Sequence, residues 1–230
     1  MNHQRILLVC ILILSCVSLA SADFYYETEI KGQPGTDGPK VAKNYISDEG
    51  MRMEMGDGTG MIINFKEEVM YNINMNTKEY RSTKFADLMK TENEEDAKMA
   101  EQMGKMVEQM MASMQVTPTD ETQEINGWKC KKYNVNIMGS TMEYWVTQDV
   151  KNYKELEKYM DKYKKVFEKN PMLKNISTAF EMQKKFDGFP IRNVSNMMGT
   201  EIVSTVTKVK DDKIDAKIFQ VPEGYTEAAN

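Results

Sequence analysis

Histidine and cysteine are the scarcest reactive residues of this 230-residue chain, with one His at position 3 and three Cys at positions 10, 16 and 130. Residues 1–22 read as a secretion signal. Arg5 is the positive n-region, Ile6 to Leu14 the apolar run, and Ala20-Ser21-Ala22 a small-residue cleavage site before Asp23. Cleavage there removes His3, Cys10 and Cys16. A chain beginning at Asp23 has no histidine and one cysteine, which excludes a Ser/His/Asp triad, a Cys/His dyad and a His-ligated zinc or iron centre. An intramolecular disulfide is excluded with them, and Cys130 reads as a buried structural thiol.

Long apolar runs are also missing. Ile6 to Leu14 is too short to span a bilayer, which needs about 20 apolar residues, so the expected product is exported to the periplasm without a transmembrane segment. A second reading takes Ile13-Leu14-Ser15-Cys16 as a loose lipoprotein cleavage pattern, which would anchor the chain in the outer membrane through Cys16. A basic excess is absent as well: without Arg5 the chain carries 29 Lys+Arg against 35 Asp+Glu, a mildly acidic balance with both signs interspersed. That argues against nucleic acid or an anionic lipid surface as partner. Gly56 to Gly60 lacks the following Lys-Ser/Thr and helix of a phosphate-cradling loop. The carboxylate clusters Asp48-Glu49 and Glu94-Glu95-Asp96 fall in turns and helix starts, where solvation and capping account for them. The expectation is therefore no enzyme, no cofactor and no metal set. No Pro/Ser/Gly linker divides the chain, so residues 23–230 read as one domain.

Methionine is what the chain has in abundance, at 21 residues. Met99, Met103, Met106, Met110 and Met114 recur at steps of four, three, four and four, so at about 100° per residue they share an arc of about 80° on a helix. Burying a Met side chain contributes about 1.5–3 kcal/mol. The stripe is therefore expected to cover something: the chain's own sheet, or a space admitting an apolar guest, to which flexible, polarizable thioethers adapt well.

Around this helix the pattern is of strands. Phe24, Tyr26, Thr28 and Ile30 alternate, as do Met51, Met53 and Met55, then Val69, Tyr71, Ile73 and Met75, with turn residues between. Helical periodicity starts near Phe85 or Glu92–Asp96, and Pro118 is expected to end it. Asn126-Gly127 marks a hairpin because both residues accept positive φ. Trp128 and Cys130 have one parity while Tyr133, Val135 and Ile137 have the other, which a bulge, or a strand covered on both faces, would explain. A second helix is expected from Asn152 to Lys169, and a third from Asn170-Pro171 to Phe186. Strands follow over 191–197, 201–208 and 213–219. The expected architecture is α+β: a single curved antiparallel sheet of about eleven strands, a half-open barrel, with helices covering its concave face.

Three stretches carry a family resemblance: Met51 to Tyr80; Ile125-Asn126-Gly127-Trp128-Lys129-Cys130-Lys131-Lys132-Tyr133 with Glu143-Tyr144-Trp145-Val146-Thr147; and Phe219-x-x-Pro222-x-Gly224-Tyr225. In these the chain resembles the lipoprotein-localisation-factor (LolA-like) superfamily, and within it a bacterial exported domain family of unassigned function. The resemblance implies a half-open sheet whose cavity holds lipoprotein acyl chains or other lipid-like molecules, and it attaches no catalytic residue. The expected function is an exported, non-enzymatic binding protein for an apolar or lipid-like small molecule or acyl chain. Met99, Met103, Met106, Met110 and Met114 would contact the guest. Two alternatives stand beside it: a structural envelope protein with a filled core and no ligand, and a Met-based Cu(I) handling protein. The copper reading rests on Met51, Met53 and Met55 on a strand, or on Met103 with Met106 and Met111 with Met114 on a helix.

Overall fold

The computed structural model describes residues 23–35, 38–87, 94–168, 181–197 and 199–228. Six strands run in succession: β1 (Phe24–Lys31), β2 (Lys40–Ile46), β3 (Gly50–Glu54), β4 (Thr59–Asn64), β5 (Val69–Asn74) and β6 (Glu79–Lys84). Helix α1 (Glu94–Ser113) leads to β7 (Gln115–Ile125), β8 (Trp128–Ile137) and β9 (Ser140–Thr147). Helix α2 (Tyr153–Glu168) precedes β10 (Phe189–Met197) and β11 (Thr200–Lys210), and the chain closes with a 3-10 turn at Ala216–Phe219 and a short β12 (Thr226–Glu227).

All twelve strands form one curved, unclosed sheet in the order β12-β6-β5-β4-β3-β2-β1-β11-β10-β9-β8-β7. Neighbours are antiparallel except β12, which lies parallel to β6. The α+β plan with a half-open sheet expected from the sequence is the one observed. Strands β6 and β7 are consecutive in the chain but ten inter-strand spacings apart in the sheet, about 48 Å along its surface. Between them lies the 20-residue α1, about 30 Å long, whose end packs against β8 near the β7 edge.

The register sorts side chains into two faces. Phe24 pairs with Ile46, Ile46 with Met51, Met51 with Ile63, and Ile63 with Met70, so all five share the front face. They form one buried cluster with Leu156 and Tyr159 of α2. Farther along the same face Met114, at the end of α1, packs with Tyr133, Val135, Tyr144, Val146 and Phe186. The back face holds a third cluster, where Ile62 and Ile73 close against Phe219. Ile62 and Ile63 are thus buried on opposite faces of β4, the double-sided burial that makes a strand continuously apolar.

The back-face cover corrects the expected strand over 213–219. Strand β11 is already flanked by β1 and β10, so a segment returning from Asp211-Asp212 has no free edge to pair with. It crosses the back face and is held there by side chains. Asp23 Oδ2 accepts from Ile214 N at 2.6 Å, Arg52 donates from Nη1 to Ile218 O at 3.2 Å, and Asn64 Nδ2 donates to Phe219 O at 3.2 Å. Arg52 is also paired with Glu54 at 2.9 Å, so its buried charge is compensated. Gly50 makes room for the plug: a Cβ there would lie 3.1 Å from the Phe219 ring and 2.4 Å from Ile63 O.

Helix α1 ends at Ser113, before the expected stop at Pro118, which lies inside β7. Strand β7 is an edge strand, where a residue without an N–H costs no ladder bond. The parity change in β8 has its counterpart here: the register shifts between Pro118 and Thr122, opposite Tyr133 and Lys131. Asn126 and Gly127 take φ of 51° and 85°, as the hairpin requires. Most of the helix expected from Asn170-Pro171 to Phe186 lies outside the described residues, as does the segment 1–22.

Candidate ligand-binding face

Among the described residues, the front face is closed by α2 at its centre and by the end of α1 towards β8 and β9, and is open towards the β6 edge. There Thr59 pairs with Asn74 and Asn74 with Glu79, while Met61 pairs with Asn72 and Asn72 with Arg81. Met53 is the partner of Met61, one strand inward. A hollow of about 460 Å³ lies over this patch, lined by Met55, Met61, Asn72, Asn74, Glu79 and Arg81 among others. Its size falls within the range of small-molecule sites, about 300–1,000 Å³, and its mixture of thioether walls with a few polar groups is the usual composition of such sites. Glu79 accepts from Thr77 Oγ1 at 2.8 Å, and Asn74 Oδ1 accepts from the backbone N–H groups of Asn76 and Thr77 at 3.0 and 3.1 Å. These bonds fix the polar rim at the β5–β6 turn.

The five methionines expected to meet a guest occupy different environments along α1. Met114 is 6% exposed and belongs to the core. Met110 is half-buried, and Met106 is 56% exposed. The side chains of Met99 and Met103 lie outside the described residues. Met111, off the stripe, packs partly buried against the same cluster as Met114. Tyr144 Oη lies 3.9 Å from the Met182 sulfur in that cluster.

Sequence reasoning did not single out Met61 or the polar rim as part of a site. The available signal was the hairpin itself: counting outward from the Gly56–Thr59 turn pairs Met53 with Met61, and strand parity then puts Met55 on the same face.

A second hollow, of about 630 Å³, lies at the β7–β9 end, lined by Lys129, Lys131, Tyr133, Asp149 and Asp187 with Cys130 at its wall. Cys130 is 2% exposed, and burial pushes its thiol up to about 11, so at neutral pH it is a thiol and a poor nucleophile. Among the described residues, no group of three or more His, Cys, Asp or Glu side chains is placed to hold a metal ion, and no helix is long and apolar enough to cross a membrane.

Fold and hollow together define an α+β protein with a curved, unclosed sheet and a thioether-lined front face. The chain belongs to the family described as Domain of unknown function (DUF4412), whose profile matches residues 33–225. It is 31% identical over 125 residues to an uncharacterized protein of Aquifex aeolicus (strain VF5), a match covering 47% of this chain and 46% of the relative. The chain thus spans about half the length of that relative. Among solved structures it is similar to an uncharacterized conserved protein from Thermus thermophilus, at 10% identity and TM-score 0.49, covering 91% of both chains. Another is MucB in complex with MucA(peri), at 8% identity and TM-score 0.42, covering 88% of this chain and 55% of that one. A LolA superfamily protein from Nitrosomonas europaea matches at 7% identity and TM-score 0.32, covering 87% of this chain and 91% of that one.

Proposed function

We propose that this chain is an exported, non-enzymatic binding protein that holds an apolar or lipid-like molecule on the front face of its sheet, in the periplasm. The observation that carries the reading is the hollow of about 460 Å³ over Met55 and Met61, on the face that the helices cover elsewhere. Two further features support it. The end of helix α1 packs on the front face at β8, where Met111 and Met114 join the buried cluster. Along the helix the stripe runs from buried Met114 to exposed Met106, which leaves thioether surface for a guest to cover. Met99, Met103, Met106 and Met110 are the proposed helix-side contacts, acting by burial and not by chemistry.

The test is uptake of a fluorescent fatty acid by the purified chain, together with mass spectrometry of a lipid extract of protein from its native source. Saturable uptake that is lost when Met103, Met106 and Met110 are replaced together by Ser, with far-UV circular dichroism unchanged, is the expected result. An empty protein that takes up no probe overturns the reading. Export is tested separately by fractionation and N-terminal sequencing. A mature terminus at Asp23 is expected; an acylated Cys16 would establish the lipid-anchored alternative.

A further inference from the structure

We propose that Met53, Met55 and Met61 form a binding site for a soft monovalent metal ion, Cu(I), at the open end of the front face. Met53 and Met61 are direct register partners across the β3–β4 pair. The ladder continues beyond β3, where Met55 N donates to Thr59 O at 2.9 Å, so Met55 falls on the same face and diagonal to Met61. Directly opposed side chains have Cβ atoms about 4.5–5.5 Å apart, and diagonal ones about 7–8 Å. Three rotatable bonds in each methionine let the sulfurs converge across such spans.

The hairpin that carries them is held firmly. Asp57 Oδ1 accepts from both the backbone N–H and the hydroxyl of Thr59, at 2.9 and 2.6 Å, and Lys40 pairs with Asp57 at 3.4 Å. Gly56 lies against the Val41 backbone, where a Cβ would come within 2.6 Å of the carbonyl oxygen.

Exposure separates these three sulfurs from the other methionines of β3 to β5. Met51 and Met70 are 2% and 1% exposed and closed into the core, whereas Met53 and Met61 are half-buried and Met55 is 44% exposed. Met55 and Met61 line the hollow, whose rim carries the Glu79 carboxylate and the Arg81 guanidinium. Thioethers are soft neutral donors that select Cu(I) over the harder divalent ions, and three of them suit a monovalent ion without a balancing carboxylate. The site shares Met55 and Met61 with the hollow of the guest reading, so a guest and Cu(I) would compete for it, while the metal titration needs no guest to be present.

The experiment is a titration of the full chain with Cu(I) under anaerobic, reducing conditions, in competition with a chromophoric Cu(I) chelator. The wild-type chain is expected to withdraw one equivalent from the chelator, and M53L/M55L/M61L to bind at least about tenfold more weakly. Leucine keeps the apolar volume, so the variant is expected to keep its circular dichroism. Met138→Leu, at an exposed methionine far from the site in the β8–β9 turn, is expected to bind as the wild type does. A wild-type chain that leaves the metal on the chelator overturns the proposal, as does a triple variant that holds Cu(I) undiminished. If the triple variant fails to fold, Met55→Leu alone at the exposed rim decides: weaker binding supports the site, and unchanged binding overturns it.

Discussion

Asn64 and Phe219 are joined across 155 positions of sequence by a hydrogen bond of 3.2 Å from the Asn64 side-chain amide to the Phe219 carbonyl. Asn64 Oδ1 also accepts from the backbone N–H of Glu67 at 2.9 Å, so one buried amide ties the β4–β5 turn to the back-face crossing. Replacing Asn64 by Ala strips a partner from both groups. Leaving a buried polar group unpaired costs about 1–3 kcal/mol, and urea unfolding is expected to show a loss of that size. Phe219→Ala, at a side chain 1% exposed, is expected to lose about 3–5 kcal/mol. A Phe219→Ala chain as stable as the wild type would mean that the back face does not depend on its plug.

Two methionines of one stripe are expected to respond unequally. Met114 sits among Tyr133, Tyr144 and Phe186 at 6% exposure, so Met114→Ala opens a cavity and is expected to cost about 2–5 kcal/mol. Met106 is 56% exposed, and Met106→Ala is expected to stay within about 0.5 kcal/mol of the wild type. Chemical denaturation of the two variants side by side checks this. Equal losses would show that the helix buries its whole stripe.

Stability is expected to respond to pH through two carboxyl groups shifted in opposite directions. The Tyr25 hydroxyl at 2.5 Å, and then the Lys208 ammonium at 2.9 Å, hold the Glu27 carboxyl below its ordinary value of 4.5. Its contribution is therefore present above that value and lost as pH falls through the depressed one. Glu27→Gln is expected to cost up to about 1 kcal/mol at neutral pH and nothing in strong acid. Burial pushes Asp23 above its ordinary 3.8, opposed by the hydrogen bond from Ile214 N. The fold thus favours its protonated form, and stability declines as pH rises through the raised value. Asp23→Asn is expected to remove that decline. Urea midpoints taken from about pH 3 to pH 7 separate the two effects.

Local alternation made β1, β3 and β5 readable in the sequence, turn residues bounded β4 and β6 even though β4 is buried on both faces, and the turn between β7 and β8 was readable because Asn126 and Gly127 both accept positive φ. Residues 213–219 were misread for a non-local reason. Lys213-Ile214-Asp215-Ala216-Lys217-Ile218-Phe219 has the composition of a strand, yet whether β11 has a free edge depends on β1, which lies nearly two hundred residues earlier. Pro118 misled in the same way, since a proline stops a helix anywhere but sits comfortably in a strand only at an edge, and only the completed sheet reveals the edge. Of the candidate face, the thioether content was plain from composition. How the methionines divide between core and surface was not, because helical periodicity gives a shared face but not the depth of what lies under it at each turn.

Cys130 supplies a sensitive probe of whether the front and the β7–β9 end open together. Its thiol is 2% exposed, its Sγ lies 3.5 Å from Trp128 O, and it belongs to the same buried cluster as Phe24, Leu156 and Ile191. Burial raises the thiol to about 11, and access and thiolate supply are both closed in the folded state. In a chain with Cys10 and Cys16 replaced by Ser, a disulfide reagent at neutral pH is expected to react with Cys130 only as fast as the domain opens. The labelling rate should rise in step with urea and reach that of a free thiol beyond the unfolding transition. Met114→Ala, which loosens the neighbouring cluster, is expected to speed labelling in proportion to its loss of stability if opening is global. Labelling that outpaces unfolding in the wild type would instead reveal a local opening at the β8 end, confined to the wall of the second hollow.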